Sequence, residues 1–279
     1  MTTDAIRKIL TRDFILLFFS QFAFTTAHHM LVPTLPVYLS QLESRETEIG
    51  ILIATYTFFS LLMRPLVGKA LSKNPEKKIM ILGGIFFSLA SFAYIWAPPF
   101  WPFFLVRVFQ GIGYAFFFTA SFTLIANISP EAHRGQSLSY FLLAMNLSLA
   151  LGPSFGMFLI NRFGFSSLFL VCFGLSASSL FITKKLGRRP VTPKEDPSIT
   201  NSYFLSREAL PPSVISFFFF LIWGALTAFF PLYAIHHGMA NPGFFFTTIA
   251  VMLISGRVLG GRISDLYSTE RVILLCLIA

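Results

Sequence analysis

Long apolar runs recur along this chain and constrain its fold more than any other feature. Each run approaches or exceeds the roughly 20 residues that an α-helix needs to cross the hydrocarbon core of a membrane. Eight such runs lie at residues 14–39, 49–67, 79–97, 103–127, 138–160, 167–182, 214–235 and 244–259, and a ninth begins near Val272. Because the runs are continuously apolar, membrane-barrel strands with alternating polarity are disfavoured. We therefore predict an all-α, polytopic membrane protein with eight transmembrane helices and the start of a ninth.

The basic residues indicate how this protein is oriented. The chain has a formal net charge of +9, with 21 Lys and Arg residues, and only 12% of its residues are charged while 55% are hydrophobic. If the N-terminus is cytoplasmic, most of these cations fall in cytoplasmic segments, and the outer loops hold only Arg45 and Arg162. This asymmetry follows the positive-inside rule. We therefore expect the charge to set orientation in a cytoplasmic membrane, and we expect no binding of nucleic acid.

A polar segment divides the predicted helices into two groups. Residues 184–210 are rich in Pro and in charge, which is typical of a linker and predicts a central cytoplasmic loop. Residues 1–183 then form an N-terminal six-helix bundle, and residues 211–279 form an incomplete C-terminal bundle with helices seven, eight and part of nine. An internal repeat supports this division, since residues 64–69 (RPLVGK) and 257–262 (RVLGGR) share one order of basic, apolar and glycine residues. Duplicated halves are typical of secondary transporters.

With these features the chain resembles the major facilitator superfamily over essentially its whole length. The resemblance implies two six-helix bundles around a central site, of which this chain holds eight helices and part of a ninth. A loop signature of that family is similar to residues 68–73 (GKALSK) and to residues 261–265 (GRISD). In the first of these stretches, Ser72 stands where the family has an aspartate. The resemblance implies a conformational gate made of loop and helix residues: Gly68, Lys69, Lys78, Arg134, Gly152, Pro153, Gly156, Gly261, Arg262, Asp265 and Arg271.

The fourth predicted helix carries an arginine at membrane depth. Arg107, Gln110, Gly111 and Tyr114 share one helical face, and the stretch is similar to a second signature of the same family. A buried arginine usually faces a cavity or a partner. The alternative is that Arg107 extends to the outer membrane surface. We favour the cavity, because Gln110 lies on the same face.

The fifth predicted helix contains small residues at regular spacing around a proline. The stretch with Gly152, Pro153 and Gly156 resembles a signature associated with exporters that exchange their solute against protons. Small residues also let any two membrane helices pack closely. The pattern thus favours export, with simple helix packing as the alternative.

The first predicted helix carries a row of polar residues, Gln21, Thr25, His28 and His29. Such a row tends to face the interior of a bundle. No Asp or Glu lies well inside any predicted span, so the histidines are the candidates for accepting a coupling proton. The alternative is that they are neutral and hydrogen-bond to neighbouring helices. The predicted cavity lining is Gln21, Thr25, His28, His29, Arg107, Gln110, Asn146 and Trp223.

Sequence motifs for chemistry on the solute are absent. The chain has no phosphate-binding loop, no histidines at metal-ligand spacing and no nucleophile elbow. We therefore expect no enzyme activity, no catalytic residue, no cofactor and no metal. The predicted function is export of a small organic solute coupled to a proton gradient. The alternatives are import of a nutrient or an organic anion bound by Arg107, and a membrane-embedded enzyme or assembly factor.

The predicted orientation is testable with single cysteines at Ser44 and Ser198. An impermeant maleimide should label a cysteine at Ser44 on intact cells, because that loop is predicted to lie outside. A cysteine at Ser198 should react only after the membrane is permeabilised. Labelling of both from the same face would contradict the helix count.

Overall fold

The computed structural model describes residues 9–98, 100–187 and 210–266, and the regular elements within these ranges are all helical. The predicted all-α fold is confirmed. In chain order the elements are α1 (Arg12–Gln41), α2 (Glu46–Leu71), α3 (Glu76–Ala93), α4 (Trp101–Ile128), a 3-10 turn (Glu131–His133), α5 (Arg134–Phe163), α6 (Phe165–Lys184), α7 (Leu210–His236) and α8 (Gly243–Leu266). Most of the predicted central loop and the predicted ninth helix lie outside the described residues.

Length and composition make six of the described helices able to cross a membrane. They are α1, α2, α4, α5, α6 and the Ser216–His236 part of α7. Helix α3 has 18 residues and begins with three charged side chains, whereas α8 contributes a shorter apolar segment, Gly243–Ser255. Many large apolar side chains on the outside of these helices are exposed, which is the expected arrangement where lipid is the solvent. The chain is thus an integral membrane protein.

The helix ends follow from local sequence. The Thr11 hydroxyl accepts a hydrogen bond from the Phe14 N–H at 3.3 Å and caps α1. The Arg45 N–H donates to the Glu48 carboxylate at 3.1 Å at the start of α2. Between α5 and α6 the chain turns at Gly164, whose φ of +82° is readily adopted only by glycine. These signals set where the helices begin and where the chain turns between them.

Helices α3 and α4 cross where each presents a glycine. A Cβ atom on Gly113 would lie 2.6 Å from the Phe87 nitrogen and 2.8 Å from the Gly83 carbonyl oxygen. A Cβ atom on Gly83 would likewise lie 2.6 Å from the Gly113 carbonyl oxygen. Since the obstructing atoms belong to the backbone, no side-chain movement could relieve these contacts. The two helices therefore approach more closely than any other residue would allow.

Hydrogen bonds between side chains join α1 to α6. The Ser20 Oγ lies 2.7 Å from the Thr183 Oγ1 and donates to the Ser179 carbonyl oxygen at 3.1 Å. At the same end of the bundle, Lys77 Nζ donates to the carbonyl oxygens of Lys184 and Leu186 at 2.7 and 2.6 Å. These carbonyls have no helical N–H partner at the end of α6, so the lysine both caps α6 and ties it to α3.

Helix α5 contacts the second group of helices through α8. The backbones meet at Gly243, where a Cβ atom would lie 2.5 Å from the Ser154 Cα. The Thr247 hydroxyl donates to the Ala150 carbonyl oxygen at 2.6 Å and lies 2.8 Å from the Ser154 Oγ. These contacts involve the half of α5 that is predicted to lie towards the outside. The division of the chain into two bundles stays a prediction.

Candidate functional site

Arg107 lies inside the bundle between α4 and α2. Its side chain is only 4% exposed. The guanidinium donates from Nε to the Leu52 carbonyl oxygen and from Nη2 to the Ile53 carbonyl oxygen, both at 2.9 Å. Its third hydrogen bond runs from Nη1 to the Gln110 Oε1 at 2.7 Å. The side chain therefore does not extend to the membrane surface, and its fork binds two consecutive carbonyls of α2.

Gln110 is the point at which this network reaches the end of α3. Its Oε1 also accepts a hydrogen bond from the Tyr94 hydroxyl at 2.6 Å. Its Nε2 is buried and has no hydrogen-bond partner among the described residues. The Tyr56 ring centroid lies 4.9 Å from the Arg107 Cζ, within the range of a cation–π contact. Within the part of the chain that the structure describes, this buried positive charge is thus stabilised by dipoles and an aromatic face rather than by a carboxylate.

His28 extends the same cluster towards α1. Its ring centroid lies 5.0 Å from that of Tyr56 and 4.9 Å from that of Tyr114. Tyr56 therefore contacts both the imidazole and the guanidinium. The structure brings the predicted residues Arg107 and His28 together around this tyrosine, and Gln110 joins them through its hydrogen bond with Arg107. Tyr56 and Tyr94 themselves were missed by the sequence analysis, which offered no signal beyond a tyrosine within an apolar run.

His29 faces a different neighbour, α5. Its Nδ1 lies 2.7 Å from the Ser148 Oγ. The Ser148 hydroxyl has one proton and two acceptors in reach, the His29 ring and the Met145 carbonyl oxygen at 2.8 Å. If that proton goes to Met145, His29 must donate from Nδ1. This contact is the kind expected of a histidine that joins two helices.

The remaining predicted lining residues have different surroundings. Gln21 is fully buried, and neither of its amide atoms has a hydrogen-bond partner among the described residues. The Asn146 Nδ2 is also buried and has no hydrogen-bond partner among the described residues. The Thr25 hydroxyl donates to the Gln21 carbonyl oxygen at 2.7 Å, so its proton is used within α1. Trp223 is half-buried on α7 and contacts Phe246 at 6.4 Å between ring centroids, with no described contact to the Arg107 cluster.

The predicted gate residues of α5 lie at the crossing with α1. A Cβ atom on Gly152 would lie 2.9 Å from the His29 Cβ, and one on Gly156 would lie 2.8 Å from the Met30 carbonyl oxygen. Pro153 is buried beside them and faces Gly243, whose Cβ would lie 2.6 Å from the Pro153 carbonyl carbon. This segment of α5 thus contacts α1 on one side and α8 on the other.

The predicted gate residues of the loops are less connected. No described atom lies within 4 Å of a Cβ built on Gly68, and Lys69 and Arg134 are exposed. The Ser72 hydroxyl donates to the Lys69 carbonyl oxygen at 2.8 Å, and Lys78 Nζ donates to the Asn74 Oδ1 at 3.2 Å.

The second copy of the loop signature is described only in part. Gly261, Arg262 and Asp265 lie in the last turns of α8, whose side chains are not among those described. Arg271 lies outside the described residues.

A family model described as Major Facilitator Superfamily matches residues 17–279 of this chain. The chain belongs to the major facilitator superfamily. The resemblance inferred from the sequence is therefore confirmed.

Two relatives within this superfamily come from Staphylococcus aureus. A protein named Staphylopine export protein is 24% identical over 88% of this chain and 64% of its own length. A protein named Quinolone resistance protein NorA is 27% identical over 54% of this chain and 39% of its own length. The chain thus spans less than two thirds of the relatives that it matches.

Solved structures share the fold of this chain. A bacterial homologue of the human lysosomal transporter Spinster, in an inward-facing and unoccupied conformation, matches 97% of this chain and 64% of its own chain. Its TM-score is 0.64 at 16% identity. A POT family transporter in complex with a thioalcohol-conjugated peptide covers 82% of this chain and 47% of its own chain, with a TM-score of 0.58 at 15% identity.

Arg107→Lys tests the role of the guanidinium fork. An ammonium group keeps the charge but cannot reach two consecutive carbonyls and Gln110 at once. Each lost hydrogen bond to a charged group costs about 1.5–3 kcal/mol, so the variant should unfold at a clearly lower temperature in detergent. The control is Arg162→Lys, at an exposed site in the last turn of α5, which should leave the midpoint unchanged. Equal midpoints for both variants would show that the fork is not required.

Proposed function

We propose that the full-length protein exports a small organic solute across the cytoplasmic membrane by alternating access, driven by a proton gradient. The observation that carries the direction is the match to a relative named as an export protein, which extends over 88% of this chain. The name of the second relative, for resistance to quinolones, supports an outward direction for a compound toxic inside the cell. The proposal places the N-terminus in the cytoplasm, as the distribution of basic residues predicts.

The position of α5 supports alternating access. At Gly152 and Gly156 its backbone meets α1, and at Ser154 it meets α8. Alternating access requires one group of helices to rock against the other around a central site. Contacts through backbone and small side chains allow such movement, because no large side chain has to be withdrawn. We therefore assign this segment of α5 to the joint between the two groups.

The buried amides support a polar organic solute. Gln21, Gln110 and Asn146 each have at least one amide atom that is buried and without a hydrogen-bond partner among the described residues. A buried polar group without a partner costs about 1–3 kcal/mol, which a bound solute or water would recover. Tyr56 and Tyr114 supply flat aromatic surface beside His28, and Tyr56 also lies beside Arg107. These groups would suit a compound that has both aromatic or apolar parts and hydrogen-bonding parts.

In this proposal a histidine side chain carries the proton that is coupled to transport. The acidic residues of the described helices lie near helix ends, so no carboxylate is placed to carry the coupling proton through the described spans. We assign that role to His28 rather than His29, because His29 is engaged with Ser148. A proton on His28 would add a second positive charge close to Arg107, and the two charges would repel each other in a low-dielectric interior. Solute binding and protonation would then influence one another.

Import of an organic anion is the second candidate function. It is favoured by the burial of Arg107, whose hydrogen-bond partners in the described residues are all uncharged. A carboxylate or phosphate on a solute would be an effective partner for such a cation.

The direction is tested by comparing the small-molecule content of cells and medium, with and without expression of the full-length protein. Export predicts at least one organic compound that is enriched severalfold in the medium and depleted in the cells. Dissipating the pH gradient with an ionophore should remove the difference, and His28→Gln should weaken it more than the exposed control His237→Gln. Enrichment inside the cells would instead establish import.

A further inference from the structure

A cavity of ≈ 410 Å³ lies on the outside of the bundle, away from the buried polar centre. It is formed by the end of α2, by Asn74 in the turn between α2 and α3, by the first three turns of α3, and by Phe116 of α4. Two of its lining residues are polar, Asn74 and Lys78, and the described lining contains no acidic residue. The cavity is large enough to hold part of an organic molecule.

The polar and apolar parts of this cavity are arranged along the membrane normal. Lys78 lies in the first turn of α3, where the helix begins at the predicted cytoplasmic surface. Ile85 lies two turns further, which places it about 10 Å deeper at 1.5 Å per residue. Leu82 and Ile85 are 40% and 42% exposed, so the cavity opens sideways towards hydrocarbon. Its mouth is thus polar and basic, and its floor is apolar.

The charge at the mouth is not compensated by a protein carboxylate in the described contacts. Lys78 Nζ donates to the neutral Asn74 Oδ1. By contrast, the neighbouring Lys77 is committed to the carbonyl oxygens at the end of α6. Glu76, the first residue of α3, accepts a hydrogen bond from Asn127 Nδ2 at 2.6 Å, and the described lining does not include it. Lys69 and Lys73 are exposed nearby and add to the positive potential.

We propose that this cavity binds one anionic phospholipid from the surrounding leaflet. The phosphate would lie against the Lys78 ammonium, which forms strong charge-assisted hydrogen bonds with phosphate oxygens. One acyl chain would follow Ile79, Leu82 and Ile85 towards Phe116. A free phosphate ion would leave the apolar floor uncovered, and a zwitterionic lipid would gain less from the basic mouth. An anionic phospholipid matches both parts, and the basic cytoplasmic ends of membrane proteins are where such lipids bind.

The test measures lipids retained by the full-length protein. The purified protein is titrated in detergent with palmitoyl-oleoyl phosphatidylglycerol or phosphatidylcholine, and retained lipid is counted by native mass spectrometry. We expect one phosphatidylglycerol per chain at concentrations where phosphatidylcholine is not retained. Lys78→Gln should reduce the affinity about fivefold, as expected for one lysine at an anionic surface. Lys73→Gln, which removes a neighbouring exposed lysine that does not line the cavity, should have a smaller effect.

Two further measurements separate the contribution of the lipid's acyl chain from that of its headgroup. Leu82→Trp should fill the floor and reduce retention, while its unfolding midpoint should stay unchanged because Leu82 faces outward. Glycerol phosphate, which has the headgroup chemistry but no acyl chain, should not compete. Competition by glycerol phosphate would show that the cavity binds a phosphate group without an acyl chain, which would overturn the proposal of a lipid site. Equal retention of both lipids, or equal effects of Lys78→Gln and Lys73→Gln, would overturn the proposal.

Discussion

Hydrocarbon supplies neither hydrogen bonds to polar groups nor a hydrophobic force between helices, and the architecture of this protein follows from these two facts. Helices must adhere through close van der Waals packing and through hydrogen bonds that they make with one another. Packing is close enough to exclude a Cβ atom where Gly83 faces Gly113 and where Gly156 meets the backbone at Met30. A hydrogen bond between the hydroxyls of Ser20 and Thr183 also holds two helices together. The bundle is therefore held by small residues, while its many phenylalanines fill the remaining space and face lipid.

The buried arginine is the exception that points to function. Arg107 carries a full charge into the bundle, and its hydrogen-bond partners are two carbonyls of α2 and Gln110. Such a charge is costly in hydrocarbon and is retained mainly where it serves a site. Here it lies beside His28, through the shared contact with Tyr56, and near an amide group that has no described partner. We propose that this polar centre holds the solute away from both aqueous phases during transport.

Much of the fold could be predicted because run length alone identifies a membrane helix, and each of the eight predicted runs corresponds to a described helix. The pair Arg107 and Gln110 was also predictable, since residues three apart share a helical face. Contacts between residues on different helices could not be predicted, because a single sequence does not show how the helices are aligned with one another. Tyr94 bonds to Gln110, and His29 to Ser148, which is 119 residues away. The gate role of Gly68 stays a prediction, since no described atom lies within 4 Å of a Cβ atom built on this glycine.

Backbone crossings at glycines specify this bundle, and a pair of glycine substitutions can show it. Gly113 and Gly174 both lie within helices, but a Cβ atom would collide with backbone at Gly113 and meet no described atom within 4 Å at Gly174. The measurement is the thermal unfolding of the full-length protein in detergent. Gly113→Ala should lower the free energy of unfolding by about 1–3 kcal/mol, as overpacking does. Gly174→Ala should leave it unchanged or raise it slightly, because alanine favours the helix by up to about 1 kcal/mol. Equal stability of the two variants would show that the close crossing at Gly113 does not hold the bundle together.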